Sequence, residues 1–376
     1  MSSFGAIPIM DLSLADDATT KPQFLCDLRS AILDVGFLYL KNYGISPELE
    51  SDVITLGKDF FTLPDDEKKR ISMINSPHFL GYTDLGHEIT NFNIDWREQT
   101  DLGTELPVCG PNEPIYRSLI GPNLWPKEEL LPGFRTAYEL YMKIMGETSQ
   151  KLVGLIAESI GLDKTIFDNI YEKNQQHKMK VIRYPNLDEL KTRNDYKEIV
   201  LNQGVGPHKD ADFTSYVLQA TSHPGLQVQN HSGEWIDVLP IPGTVVVAVG
   251  QALETVTRGV CQSTVHRVLA PVPGSGSRYS IPFFQGIAQD TQYKAIEIPE
   301  DILALKRELI NQRLDPASSL EKSYRPEMFE KIGENTFWNR VKSHKDVSAK
   351  YYPEYLKKVQ AVFPDKRNLI EIEARE

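Results

Sequence analysis

The chain has 376 residues, a net charge of −11 and 40% hydrophobic residues, the balance of an ordinary globular protein. The excess of acid argues against a nucleic-acid partner, and the longest near-apolar run, Thr244 to Gly250, is far too short to cross a bilayer. Cys26, Cys109 and Cys261 are scattered and odd in number and no secretory signal is visible, which together predict a cytoplasmic protein without a disulfide framework.

Ile7 to Leu12, interrupted by Pro8, reads as an edge strand. From Pro22 the apolar residues Phe24, Leu25, Leu28, Ala31, Ile32 and Val35 recur at helical spacing up to Gly36, and Phe37 to Leu40 form a strand. Ser46 and Pro47 make an N-cap and first-turn pair for a second amphipathic helix, and Pro64 with Asp65, Asp66 and Glu67 opens a third. Phe79 to Gly86 carries aromatics and glycines without periodicity and reads as a turn-rich connector. Residues 107–126 are punctuated by Pro and Gly and read as a surface loop. Phe134 to Ile160 reads as one helix of roughly 40 Å, with Tyr141, Met142 and Met145 as packing residues and Gly161 as its stop.

A β-rich stretch follows. Lys178 to Pro185 alternates so that Lys180, Ile182 and Tyr184 share one face. Residues 230–233 and 240–243 read as loops joining successive strands, with His223 and His231 beside turns and in solvent. His208 and Asp210 stand two apart, the spacing that aims both side chains at one point, and His266 follows several strand-like segments later. Two histidines and a carboxylate on one face of a metal leave positions open, the pattern of non-haem Fe(II) oxygenases. Arg278 and Ser280 repeat the two-residue spacing on the last strand, whose same face carries Phe284. Beyond it, Ile302, Leu305, Leu309 and Ile310 mark one helix and Tyr355, Leu356, Val359, Val362 and Phe363 another.

The chain resembles, over nearly its full length, the isopenicillin N synthase-like branch of the Fe(II)/2-oxoglutarate-dependent dioxygenases. The likeness lies in IPIMDLS and AILDVGFLYLKNYGI near the N-terminus and in GLQVQNHSGEWIDVLPIPGTVVVAVG, STVHRV and RYSIPFF later. It implies an α+β protein with a mainly β core, a double-stranded β-helix (jelly roll) flanked by helices. It implies Fe(II) on His208, Asp210 and His266, the distal carboxylate of 2-oxoglutarate on Arg278 and Ser280, and Tyr184 against the co-substrate. Where relatives often carry an asparagine this chain has Ile182, and where they carry Gly-Asp it has Gly250-Gln251. Lys180, Ile182, Tyr82, Phe213 and Phe284 are the substrate-side candidates.

The expected layout is an N-terminal dioxygenase region over 1–125, a backing helix over 126–175, the catalytic core over 176–292 and a helical extension over 293–376, integrated as one structural domain. The expected function is oxidation of a small molecule in secondary metabolism by hydroxylation, desaturation or a related step, with 2-oxoglutarate and O2 converted to succinate and CO2. The alternative is a 2-oxoglutarate-independent iron oxidase of the isopenicillin N synthase type. Neither nucleic acid nor membrane is an expected partner, and the chain is expected to be a monomer or a weak homodimer.

Overall fold

The apolar runs become strands where alternate side chains find cover and helices where a 3.6-residue stripe does. The computed structural model describes residues 3–90, 93–171, 175–193, 202–292, 294–311 and 327–362, and the elements below are those of the described residues. In chain order they are β1 (Ile9–Asp11), α1 (Lys21–Ser30), β2 (Phe37–Lys41), α2 (Pro47–Phe60), α3 (Asp65–Arg70), β3 (Gly81–Thr83), β4 (Glu88–Thr90), β5 (Asn93–Asp95), β6 (Glu98–Gly103) and α4 (Phe134–Ser159). Then come β7 (Lys178–Tyr184), α5 (Leu187–Lys191), β8 (Gln203–His208), β9 (Thr214–Gln219), β10 (Leu226–Gln229), β11 (Trp235–Asp237), β12 (Thr244–Val249), α6 (Gln251–Val256), β13 (His266–Leu269) and β14 (Arg278–Phe284). The last four are α7 (Glu300–Asn311), α8 (Ile332–Ser343), α9 (Lys345–Tyr351) and α10 (Pro353–Val362).

The strands build an eight-stranded sheet in the order β1-β2-β12-β9-β14-β7-β6-β3 and a four-stranded sheet in the order β11-β10-β13-β8. From β7 onward the chain passes back and forth between the two, as a jelly roll requires: β7 lies in the large sheet, β8 in the small one, β9 in the large one, β10 and β11 in the small one, β12 in the large one, β13 in the small one and β14 in the large one. The α+β fold with a double-stranded β-helix is therefore the one observed. Local chemistry sets the helix starts. The Ser46 Oγ accepts the Leu49 N–H at 3.2 Å with Pro47 in the first turn of α2. Against the outer face of the large sheet, α4 buries Tyr141, Met142 and Met145. One apolar core runs from Met10 through α4 and the inner strands to Ile302.

Several expectations change. Part of the 79–86 connector forms β3 and pairs antiparallel with β6, because its aromatics can be covered on both sides. The 240–243 loop joins successive strands as expected, carrying the chain from β11 in one sheet to β12 in the other. His223 and His231 are partly buried rather than in solvent, with His223 Nε2 2.5 Å from the Ser275 carbonyl oxygen and His231 Nε2 3.1 Å from the Asp34 carboxylate. The C-terminal region carries two helices, α8 and α9, that periodicity did not announce. Phe363, expected on the last helix, lies outside the described residues.

Candidate active site

The three metal-ligand candidates meet where the two sheets come together. His208 ends β8 and His266 begins β13, and the two residues are direct partners across the small sheet. Asp210 follows β8 in the turn toward the large sheet, where the Ser215 hydroxyl of β9 donates to its Oδ2. That bond turns the other carboxylate oxygen inward: Oδ1 lies 3.6 Å from Nε2 of His208 and 3.6 Å from Nε2 of His266. One donor atom from each residue fits within a 4.8 Å cluster. Donors held about 2.1 Å from one ion at right angles stand about 3 Å apart, so a small contraction brings all three onto a single cation.

The ring orientations suit that task. His208 Nδ1 lies 2.8 Å from the Gly206 carbonyl oxygen and His266 Nδ1 lies 3.2 Å from that of Thr264. Each ring donates its Nδ1–H to the main chain, which leaves the Nε2 lone pair facing Asp210. Burial lowers the His266 pKa to about 4, which keeps the ring neutral and able to ligate. Burial pushes the Asp210 carboxyl upward, but positive charge on the two imidazoles, when they are protonated, and the Ser215 hydroxyl outweigh it and hold it well below the usual carboxylate range. The loop is pinned from behind by the Gln251 N–H, which donates to the Asp210 carbonyl at 2.8 Å. It approaches Gly250 so closely that a Cβ there would stand 1.8 Å from the Asp212 carbonyl oxygen.

Arg278 and Ser280 lie on the inner face of β14, 1% and 3% exposed. The Arg278 Nη2 donates to Gln219 Oε1 at 3.1 Å, whereas its Nε and Nη1 meet no acceptor. The guanidinium sits 5.1 Å from the centre of the Tyr184 ring, across the register pair that joins β14 to β7. Burial lowers the arginine's pKa, with Tyr184 opposing. A buried guanidinium with two idle donors and no ion pair among the described residues is a socket for a carboxylate. The donor set and the idle arginine thus fit both iron and 2-oxoglutarate.

Beside the Asp210 loop opens a small cavity of about 60 Å³. Lys178, Phe284, Asp212 and the paired Gln175 and Gln176 line it, with Asn335 and Thr336 of α8 as part of its roof. Phe284, expected on the inner face of its strand, lines this cavity. Lys180 does not face this space freely. Its Nζ lies 3.3 Å from Glu88 and 3.4 Å from Asp101, inside a buried charge network. Ile182 is buried opposite Ser280, Tyr82 donates its hydroxyl to Glu98 within the core at 2.6 Å, and Phe213 packs edge-on against Phe167 at 5.1 Å.

Sequence reasoning overlooked Lys178, although it has the same strand phase as Lys180, Ile182 and Tyr184, and that phase could have found it. It overlooked Ser215, which carried no signal of its own. It also overlooked the roof, because α8 is polar along much of its length; only Phe337 and Val341 at i, i+4 and a first-turn Glu334 mark it.

Two family models match this chain: the non-haem dioxygenase N-terminal region over residues 7–128 and the 2OG-Fe(II) oxygenase superfamily over residues 176–287. The chain is 52% identical over 356 residues to the 2-oxoglutarate-dependent dioxygenase frbJ of Dothideomycetidae sp. (strain 11243), covering 94% of each chain. It is 30% identical to a homoarginine-6-hydroxylase of Oryza sativa subsp. japonica, over 79% of this chain and 90% of the relative. Among solved structures, a full-length Neurospora crassa protein in complex with alpha-KG superposes with a TM-score of 0.65 at 26% identity, over 82% of this chain and 98% of that one. With its two imidazoles, its carboxylate and its idle arginine arranged on a jelly roll, the chain belongs to the 2OG-Fe(II) oxygenase superfamily.

Proposed function

We propose that His208, Asp210 and His266 hold Fe(II), that Arg278 and Ser280 bind the distal carboxylate of 2-oxoglutarate, and that Tyr184 packs against it. When bound, iron, 2-oxoglutarate and O2 supply the oxidative decarboxylation of the keto acid to succinate and CO2, coupled to oxidation of a substrate C–H bond. The protein's part is placement. His208 and His266 present neutral nitrogen lone pairs, Asp210 supplies one oxygen while Ser215 occupies the other, and the Arg278 fork sets the depth at which the co-substrate lies. Tyr184 and Gln219 fill the space around that fork, so a carboxylate entering it is shielded from water.

The observation that carries this reading is Arg278, a buried cation with two unused donors on the same strand face that leads to the iron ligands. The relatives are named for 2-oxoglutarate, which supports this role over a 2-oxoglutarate-independent oxidase. The relatives named for homoarginine support a small-molecule substrate. Among the described residues no helix is long and apolar enough to cross a membrane, and the reading includes a cytoplasmic site of action without nucleic acid. We place the chain at work as one integrated unit, a monomer or weak homodimer, since a single apolar core joins the N-terminal region, the long helix and the jelly roll. The test is succinate release from 2-oxoglutarate by the Fe(II)-loaded protein with and without candidate substrates. Wild type should release succinate slowly alone, and His208→Ala and Asp210→Ala should lose both turnover and Fe(II) binding. Oxygen uptake without succinate would turn the reading to the oxidase.

A further inference from the structure

The cavity beside the Asp210 loop is lined by a lysine and an aspartate, Lys178 and Asp212, that feel each other's charge yet form no ion pair or hydrogen bond with each other. Among the described residues Lys178 has one hydrogen-bond partner, the Leu119 carbonyl oxygen, to which its Nζ donates at 3.0 Å, and no carboxylate comes within ion-pair distance. Burial lowers its pKa to about 7, the mark of an ammonium poorly compensated where it stands. Asp212 presents its carboxylate to the same cavity and makes no ion pair or side-chain hydrogen bond with another described residue. Both side chains keep some surface, and that surface lies along the cavity.

The neighbouring amides repeat the pattern. Gln175 is 8% exposed and Gln176 stands beside it, and all four of their side-chain nitrogen and oxygen atoms lack a hydrogen-bond partner. Gln289 on the opposite wall leaves its Oε1 unused. Idle polar groups cost stability when buried. Charges kept only for structure would be paired as Lys180 is, a few ångströms along the same strand.

We propose that this cavity is the substrate subsite and that it takes a free amino acid, with Lys178 binding the carboxylate, Asp212 binding a protonated nitrogen, and Gln175 and Gln176 adding hydrogen bonds. The placement suits the reaction. Phe284 is the strand partner of both Lys178 and Ser215, so Lys178 stands two strand spacings, about 10 Å, from the residue that holds Asp210. Asp212 lies two residues beyond Asp210 itself. A molecule stretched between the two groups therefore lies against the loop that carries Asp210, with Ala211 and Asp212 as its wall. A neutral hydrocarbon would leave both groups without an ion-pair partner, and a simple acid or simple amine would leave one of them so. The inference rests on the iron and 2-oxoglutarate reading, since it presumes where that site lies.

The test uses the full chain loaded with Fe(II) and 2-oxoglutarate. The twenty proteinogenic amino acids, L-ornithine and L-homoarginine are screened for stimulated succinate release, and the best one is titrated without oxygen. Its carboxamide and its des-amino analogue are then compared with it. In the wild type each analogue should bind at least about tenfold more weakly. In Lys178→Met the preference for acid over carboxamide should disappear, and in Asp212→Asn the preference for amine over des-amino compound should disappear. Equal binding of acid and carboxamide by the wild type would overturn the inference without recourse to any variant. So would unstimulated succinate release that no amino acid raises. Absence of succinate under every condition would instead overturn the co-substrate assignment, so the two failures are told apart.

Discussion

Two groups of buried cations on the inner side of the large sheet obey opposite rules. Around Glu88 every charge is answered: Arg97 pairs with Glu88 and, at 3.4 Å, with Asp95, Lys180 bridges Glu88 and Asp101, Arg340 reaches Asp101 at 3.1 Å, and His344 Nε2 lies 3.0 Å from Glu88. Gln99 closes the network by donating to both Glu88 and Asp101, at 2.8 and 2.6 Å. At the Arg278 end the guanidinium is more deeply buried, yet among the described residues it forms no ion pair and meets the Gln219 amide and the Tyr184 ring instead. A network of ion-paired charges fastens structure, here the C-terminal α8 and α9 onto β4, β6 and β7, even though Arg97 Nε and Gln99 Oε1 within it meet no partner. An unsaturated cation stores binding capacity for a ligand.

That contrast makes the two regions separable by mutation. Arg278→Leu should weaken 2-oxoglutarate binding by about 10²–10³-fold, the equivalent of removing one partner of a desolvated charge pair. Thermal stability should hold or rise, because an unpaired buried charge has been replaced by an apolar group. Ser280→Ala should cost roughly tenfold in the same titration. Glu88→Gln should do the reverse: it leaves Arg97 and Lys180 short of an anion, costs about 3–5 kcal/mol in stability, and leaves the co-substrate Kd within about twofold. If Glu88→Gln lowered co-substrate affinity as far as Arg278→Leu and left the melting temperature unchanged, the division between fastening and binding would be wrong.

A smaller effect isolates burial without charge. His177 accepts the Gly286 N–H through Nδ1 at 3.1 Å and packs on Phe283, and burial lowers its pKa to about 4. With the folded value below the unfolded one, the unfolded chain takes up a proton first as pH falls, so stability declines from about pH 6.5 toward about pH 4. His177→Gln in the metal-free protein should remove up to about 3 kcal/mol of that slope relative to wild type, read from urea unfolding at a series of pH values. An identical slope in the variant would show that the ring is not neutral and buried in solution.

Legibility tracked the range over which each signal acts. The α2 cap, the length of α4 and the alternation of β7 and β14 were readable because they depend on neighbours within a few residues. The pairing of Tyr82 with Glu98 was not, since the residue looked like a loop aromatic until β3 joined β6. Lys180 read as a cavity cation because strand phase tells which face a side chain takes and nothing about who meets it there; Glu88 and Asp101 come from β4 and β6. Lys178, on the same face, was left to serve the cavity.

The amino-acid order alone determined the donor chemistry: two imidazoles and a carboxylate with open positions on one side, and an Arg-x-Ser pair on one strand face. Those features follow from residue type and the two-residue period of a strand, both fixed before any folding. Tertiary structure alone decided that β8 and β13 are partners, so that His208 meets His266 across the small sheet. It also decided that Ser215 turns one Asp210 oxygen inward, and that Arg278 and Lys178 remain unpaired while Lys180 is saturated. Pairing across sheets depends on which strands become neighbours, and that is a property of the whole chain's packing rather than of any stretch of it.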